Sequence, residues 1–177
     1  EAGPGDAPGR AGRALRLAWR MGRGPAPNLV QVAEAHGIRV LGIPLADAAV
    51  DAFSFLAPDG RPFVFLSRIK TAERSRFDLA HEIGHLVLHC DVTGTGETTD
   101  REIEREADVF AAELLLPTEA LRARVRGAPS IEDLMRIKST YGASAMAAAR
   151  SIRDAGLLSE WGHRQLVATL TSRGFHT

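Results

Sequence analysis

Cysteine is nearly absent from this sequence, since Cys90 is the only one among 177 residues. A single thiol cannot form an intramolecular disulfide, which excludes a disulfide-stabilised secreted scaffold and fits a reducing compartment. Cys90 follows His89 and shares a predicted helix face with apolar residues. That position favours a buried core thiol over a metal ligand or a redox sensor.

Excess charge and long apolar runs are also missing. The chain has 22 basic and 22 acidic residues, so no global field draws it to nucleic acid or to a membrane surface. No apolar run approaches the length of about 20 residues that crosses a bilayer, and the Gly/Pro-rich opening lacks the apolar core of a signal peptide. We therefore expect a cytoplasmic protein of one domain, or of one domain with a small appendage.

Two histidines and a glutamate stand together in the segment His81-Glu82-Ile83-Gly84-His85. On an α-helix, residues i and i+4 share one face, so both imidazoles can reach a single metal ion, with Glu82 beside them. The pattern H-E-x-x-H also occurs by chance. Here its flanks are strongly apolar, and a buried helix has no structural use for these polar groups unless a cation balances them. The segment predicts a zinc hydrolase in which His81 and His85 bind the metal and Glu82 is the catalytic base.

A second helix is predicted over residues 99–117. Thr99 and Glu102 have the form of a capping box, and Pro117 marks the exit. A catalytic zinc takes three protein ligands and leaves one position open, so this helix is the place to look for the third.

Glu104 is the candidate for the third ligand. It lies four residues before Asp108, so both share a face with Ala111, whose small side chain allows close approach to the first helix. Asp108 would then accept the ring N–H of a ligand histidine and fix its orientation. Glu106 is the main competitor of Glu104, and spacing alone leaves the choice open.

Three neighbouring residues need separate interpretations. His89 continues the row of histidines by another turn, which puts it two turns beyond His81. Because each turn rises about 5.4 Å and zinc bonds are only about 2 Å long, it lies too far along the helix to share the same ion. It is expected to contact a ligand or to lie at the surface. Asp78 is expected to be a surface charge. Gly84 costs the helix about 1 kcal/mol relative to alanine, which predicts close packing against the sheet or the second helix.

The chain resembles the ImmA/IrrE metallopeptidases, small zinc endopeptidases similar to thermolysin around the metal. The resemblance rests on residues 76–85, 104–111 and 114–117. It implies zinc held by His81, His85 and Glu104, with Glu82 as catalytic base and Asp108 behind a ligand histidine. It also implies a protein substrate, typically a helix-turn-helix transcriptional repressor cut in a stress or mobile-element response. Direct nucleic-acid binding and membrane association are not expected.

The fold is predicted to be α+β, with a small antiparallel or mixed sheet packed on the two ligand helices and a helical bundle after them. We expect a disordered segment over 1–10, a metallopeptidase core over 11–117 and a helical subdomain over 118–177. Predicted elements of the core, besides the ligand helices, are helices 11–21 and 28–36 and strands 38–43, 50–56 and 63–67. The last two strands should form an antiparallel hairpin because a turn-forming cluster separates them. If its edge borders the metal, an extended substrate could add as a further strand.

Helices are also predicted over 118–126, 130–141, 144–155 and 159–170. The second and third of these have the look of a helix-turn-helix, which favours a rival hypothesis of a DNA-binding helical module. The start of the third helix, Ala143 to Ala147, suits packing better than base readout. A second alternative is a zinc protein that binds a transcription regulator without cutting it. Manganese is an alternative metal, because carboxylate and imidazole accept several divalent ions.

Overall fold

A computed structural model describes residues 7–44, 51–89 and 99–175 of the chain. These ranges form eight α-helices and one three-stranded sheet, which confirms the predicted α+β class. In chain order the elements are α1 Ala7–Ala18, α2 Leu29–Ala35, β1 Arg39–Ile43, β2 Ala52–Leu56, β3 Pro62–Ser67, α3 Ala72–Leu88, α4 Asp100–Leu115, α5 Thr118–Arg124, α6 Ile131–Tyr141, α7 Ala145–Asp154 and α8 Glu160–Ser172. None of these helices is both long and apolar enough to span a membrane.

The sheet is mixed, with β3 in the centre. β2 pairs with β3 in the predicted antiparallel hairpin, and β1 pairs with β3 in parallel. Alternate residues of a strand point to opposite faces, and Val64 and Leu66 of β3 are buried against the helices. The sheet therefore forms one layer, and α3 lies directly behind it with α4 packed on its far side.

Local hydrogen bonds explain where the two central helices begin. The hydroxyl of Thr71 accepts from the backbone N–H of Arg74 at the start of α3. At the start of α4, Thr99 and Glu102 form the predicted capping box, in which each side chain accepts the other residue's backbone N–H. These caps fix where each helix begins, and therefore which residues of α3 and α4 face each other.

Gly84 allows α3 and α4 to pack closely. A Cβ at this position would lie 3.2 Å from Cα of Ala107, 3.3 Å from its carbonyl oxygen and 3.1 Å from Cδ1 of Phe110. Both neighbours belong to α4 and are fully buried. The expected close packing of Gly84 is confirmed, and its partner is the second helix rather than the sheet.

Replacing Gly84 with alanine is therefore expected to destabilise the protein by about 1–2 kcal/mol, despite the better helix propensity of alanine. The backbone of Ala107 cannot move without shifting α4, which also carries Glu104. Thermal or denaturant unfolding measures the change. Gly24→Ala is the control, because a Cβ there meets nothing within 4 Å. Equal stability of Gly84→Ala and the wild type would contradict the role given to this contact.

The prediction of a disordered N-terminal segment was wrong in part. Helix α1 begins at Ala7, and Pro8 and Gly9 are buried in it, so the predicted disordered segment 1–10 was wrong for residues 7–10. Packing of α1 on α4 explains the difference, because tertiary contacts stabilise a Gly/Pro-rich start that composition alone does not favour. Residues 1–6 and Cys90 lie outside the described residues.

The four helices after Pro117 occur where they were predicted. The hydroxyls of Ser130, Ser144 and Ser159 each cap the helix that follows. Ala145 and Ile152 of α7 are buried in the same hydrophobic cluster as α3 and α4. The apolar face of α7 is thus part of the core.

Candidate metal centre

His81, His85 and Glu104 come together between α3 and α4. The two imidazole Nε2 atoms lie 3.0 Å apart, and Glu104 places one carboxylate oxygen 3.1 Å from Nε2 of His81 and the other 3.4 Å from Nε2 of His85. Ligands of a tetrahedral zinc with bonds of about 2.0–2.1 Å are separated by about 3.3 Å. The three side chains therefore fit one small divalent cation without rearrangement, and their ligand atoms all lie within 4.8 Å of one another.

Asp108 orients His81 from behind. Nδ1 of His81 is 3.1 Å from Oδ1 of Asp108, and because a carboxylate only accepts, this nitrogen carries the hydrogen. The lone pair of Nε2 is then directed toward His85 and Glu104. On the other side of the carboxylate, Nη1 of Arg150 in α7 donates to Oδ2 at 3.4 Å. Burial by itself would raise the pKa of Asp108, but the hydrogen bond and charge of His81, together with Arg150, lower it.

The two histidines have different electrostatic surroundings. Burial lowers the pKa of His85, and the neighbouring charge of His81 lowers it further, so the neutral imidazole that metals bind is favoured. Burial also acts to lower the pKa of His81, but the hydrogen bond to Asp108 and the charges of Asp108 and Glu104 outweigh it and raise the pKa. An excess of negative charge around His81 is the setting in which a cation is stabilised.

Glu82 lies beside this cluster and is almost fully buried. Its Oε2 accepts a hydrogen bond of 2.6 Å from the hydroxyl of Ser54 in β2. Burial raises the pKa of Glu82, and the Ser54 hydrogen bond only partly opposes this. A carboxylate whose proton affinity is raised can accept and return a proton nearer to neutral pH than an exposed one.

A groove of about 560 Å³ runs between β2 and the two helices. It is lined by all five residues of β2 and by Glu82, His85, Leu86, His89 and Glu104. Successive residues of a strand point to opposite faces, so a groove lined by every residue of β2 follows the edge of that strand. The edge is unpaired in the described sheet, because β2 is an outer strand.

A larger cavity of about 650 Å³ lies on the other side of the Asp108–Arg150 pair. Its walls come from the first turns of α3, from α4 and from the start of α7. It contains none of His81, Glu82, His85 or Glu104. Size alone would favour this cavity, but Glu82, His85 and Glu104 line the smaller groove.

Glu106 lies away from the cluster, His89 packs on it, and the burial of Asp78 differs from what the sequence predicted. Glu106 does not join the cluster, and its Oε2 lies 3.9 Å from Nε2 of His89 instead. The His89 side chain is only 9% exposed, so it is not a surface residue, and its ring packs on His85. The expectation for Asp78 was wrong, since it is buried and paired with Arg74 at 3.0 Å.

Ser54 and Arg150 were not identified from the sequence. Ser54 lies 28 residues before Glu82 and Arg150 lies 42 residues after Asp108, so no helical or strand spacing connects them to the motif. The pairing of β2 with β3 could have indicated Ser54, because it puts Ser54 opposite the buried Val64 and hence on the inner face.

Comparison with known proteins agrees with the architecture. Residues 33–153, about two thirds of the chain, match the family model described as Peptidase_M78, IrrE N-terminal-like domain. A solved structure described as a Mycobacterium tuberculosis transcriptional regulator matches 80% of the chain with a TM-score of 0.55 and 16% identity, which shows a shared fold. The chain spans 44% of that protein. No curated protein matches the sequence. Because this family model matches about two thirds of its length, the chain belongs to the IrrE N-terminal-like domain family, Peptidase_M78.

Proposed function

We propose that this chain is a zinc-dependent endopeptidase whose metal is held by His81, His85 and Glu104. The observation that carries the proposal is the convergence of these three ligand atoms at a groove that is lined by two of them, His85 and Glu104, and by the buried carboxylate of Glu82. Two imidazoles and one carboxylate are the ligand set of several catalytic zinc sites. The Glu104 side chain is 63% exposed, so water and substrate can reach the cluster from the side on which Glu104 lies.

Glu104 is a better third ligand than Glu106 on geometric grounds. Its carboxylate reaches both imidazoles, whereas the carboxylate of Glu106 faces His89 on the next turn of α3. A cation bound to His81 and His85 would therefore meet Glu104 without any change in helix position.

The proposed chemistry is hydrolysis of a peptide bond. When bound, zinc would polarise the scissile carbonyl and lower the pKa of water toward neutrality. Glu82 accepts the proton of the attacking water and passes it to the leaving amine. Ser54 holds the Glu82 carboxylate in place for both transfers through its 2.6 Å hydrogen bond.

Asp108 and Arg150 keep His81 in the orientation that the metal requires. Asp108 fixes the ring through Nδ1, and Arg150 anchors the second oxygen of Asp108. Such partners of a ligand typically contribute 10- to 100-fold to metal affinity or activity. Since Arg150 belongs to α7, this helix helps to hold the proposed metal site.

The substrate is proposed to be a protein segment in extended conformation. The edge of β2 that no described strand pairs with borders the groove, so a peptide can pair with it as an added strand while its scissile bond lies near Glu82. The family further favours a helix-turn-helix transcriptional repressor as the natural substrate, cut in a stress or mobile-element response. A substrate of this kind would place the reaction in the cytoplasm.

Removal and return of the metal test the proposal. The purified protein is incubated with a library of peptides derived from a whole proteome, and cleavage sites are identified by mass spectrometry. We expect cleavage that stops when a chelator removes the metal and returns on addition of Zn²⁺. Because the same ligands bind Mn²⁺, elemental analysis of the untreated protein identifies the ion. A metal-free protein, or cleavage that persists after complete chelation, would overturn the proposal, and zinc without cleavage would favour a binding protein.

A further inference from the structure

The outer face of the sheet carries an unusual concentration of aromatic side chains. Four of the seven phenylalanines in the chain lie there, namely Phe53 and Phe55 of β2 and Phe63 and Phe65 of β3. An exposed sheet face is normally polar when the opposite face packs on the core. Packing against the core behind the sheet therefore does not account for these phenylalanines.

Their orientation follows from the register of the strands. Ser54 points inward, because its hydroxyl donates to Glu82 behind the sheet, so Phe53 and Phe55 on either side of it must point outward. The rings form two cross-strand pairs, Phe53 on Phe65 with centroids 4.8 Å apart and Phe55 on Phe63 at 5.5 Å. Both pairs are nearly parallel, with interplanar angles of 8° and 12°.

Each pair forms a row across the sheet, from Phe65 to Phe53 or from Phe63 to Phe55, and both rows end at the edge of β2 that no described strand pairs with. Phe53 and Phe55 remain 38% and 45% exposed, and both line the groove beside the proposed metal site. A whole aromatic side chain buries about 150–250 Å², so two rings that are less than half exposed fall well short of the roughly 800 Å² that each partner of a stable complex buries. This aromatic surface is too small to hold a second copy of the chain by itself but large enough to hold side chains of a single peptide strand.

We propose that Phe53 and Phe55 select the substrate sequence by packing on those side chains of the bound peptide that point away from the metal. A peptide that pairs with β2 places every second side chain on the outer face of the sheet, next to the two rings. One such side chain would lie beside Phe53 and extend the row Phe65–Phe53. The next one on the same face would lie beside Phe55 and extend the row Phe63–Phe55. Aromatic and β-branched residues are the partners that stabilise such cross-strand pairs.

The preferred substrate class is therefore an extended segment with aromatic or β-branched residues at alternating positions around the cleaved bond. Residues between them face the metal side and are not selected by the rings. This inference rests on the proposed peptidase function and adds the sequence preference to it.

The peptide library described above tests the preference directly. The wild-type protein is expected to cleave most rapidly where Phe, Tyr, Trp, Ile or Val recur with a spacing of two residues. The double variant Phe53→Thr/Phe55→Thr should lose this preference, and kcat/KM for such peptides should fall about tenfold. A tenfold change corresponds to about 1.4 kcal/mol, and the loss of two cross-strand pairs with the peptide supplies a free-energy change of that order. Threonine keeps the strand propensity, so the sheet itself should persist.

Two further variants make the result specific. Leu41→Thr changes an equally exposed residue that pairs with Phe65 from β1, at the opposite edge of the sheet, and should leave the preference unchanged. The conservative variant Phe53→Tyr/Phe55→Tyr should retain it. Metal content is measured for every variant to confirm an intact site.

The possible failures have different meanings. Cleavage by the wild type without the alternating preference, or a preference that survives in the threonine variant, would overturn the role of Phe53 and Phe55 and leave the peptidase proposal standing. Loss of the preference in Leu41→Thr as well would also overturn it, because the effect would then belong to the whole sheet. A wild type that binds zinc but cleaves no peptide would overturn the proposed function and this inference together.

Discussion

Replacing Glu82 with glutamine is expected to abolish peptide cleavage while the metal remains bound. Glutamine has nearly the same shape and its carbonyl oxygen can still accept the Ser54 hydrogen bond, but it cannot take a proton from water. General base catalysis typically contributes about 10²- to 10⁴-fold, so kcat should fall by that amount with little change in KM. Cleavage kinetics on a peptide identified from the library, together with elemental analysis, measure both quantities.

This variant also separates the alternatives. A protein that only binds its regulator would keep its function in Glu82→Gln, and an accidental motif would contain no metal in either form. If the zinc-loaded Glu82→Gln protein cleaved peptides at the wild-type rate, Glu82 could not be the catalytic base. Glu102→Gln is a control for the loss of a carboxylate elsewhere, because Glu102 caps α4 and does not face the groove.

The second large effect is expected at Glu104. Changing it to glutamine removes the one carboxylate among the described residues that reaches both imidazoles. Metal affinity should fall by more than about 100-fold, which is more than the loss of a residue that only hydrogen-bonds to a ligand would cause. Competition with a chromophoric chelator measures the dissociation constant. Cleavage at limiting zinc should be lost in parallel.

Glu106→Gln is the matched control, since it makes the same change two residues later on the same helix. Its carboxylate faces His89, so metal affinity is expected to stay within a few-fold of the wild type. The reverse pattern, with metal lost in Glu106→Gln and retained in Glu104→Gln, would show that the third ligand has been assigned to the wrong residue.

Much of the fold was predictable because its signals are local. The capping box at Thr99, the hairpin over β2 and β3 and the serine caps of the last three helices all depend on residues close together in sequence. The parallel pairing of β1 with β3 was not specified, since it depends on contacts across the chain. The early start of α1 was missed for the same reason, because packing on α4 determines it.

The candidate site divides in the same way. Helical spacing predicts that His81 and His85 share a face. The spacing of Glu104 and Asp108 made Glu104 the candidate third ligand ahead of Glu106, and the resemblance to a known family implied the same residues. Ser54 and Arg150 could not be found by spacing, because they lie on a strand and on a helix that are far from the motif in the sequence. Asp78 was misjudged because an acidic residue is usually exposed, whereas here its side chain is buried and paired with the partly exposed Arg74.

Anomalous X-ray scattering at the zinc absorption edge, recorded from crystals of the untreated protein, tests the central assignment most directly. We predict one strong peak within bonding distance of Nε2 of His81, Nε2 of His85 and a carboxylate oxygen of Glu104, with a fourth position facing the groove and not filled by a protein atom. No peak at this position, or an ion enclosed by four protein ligands, would contradict the account.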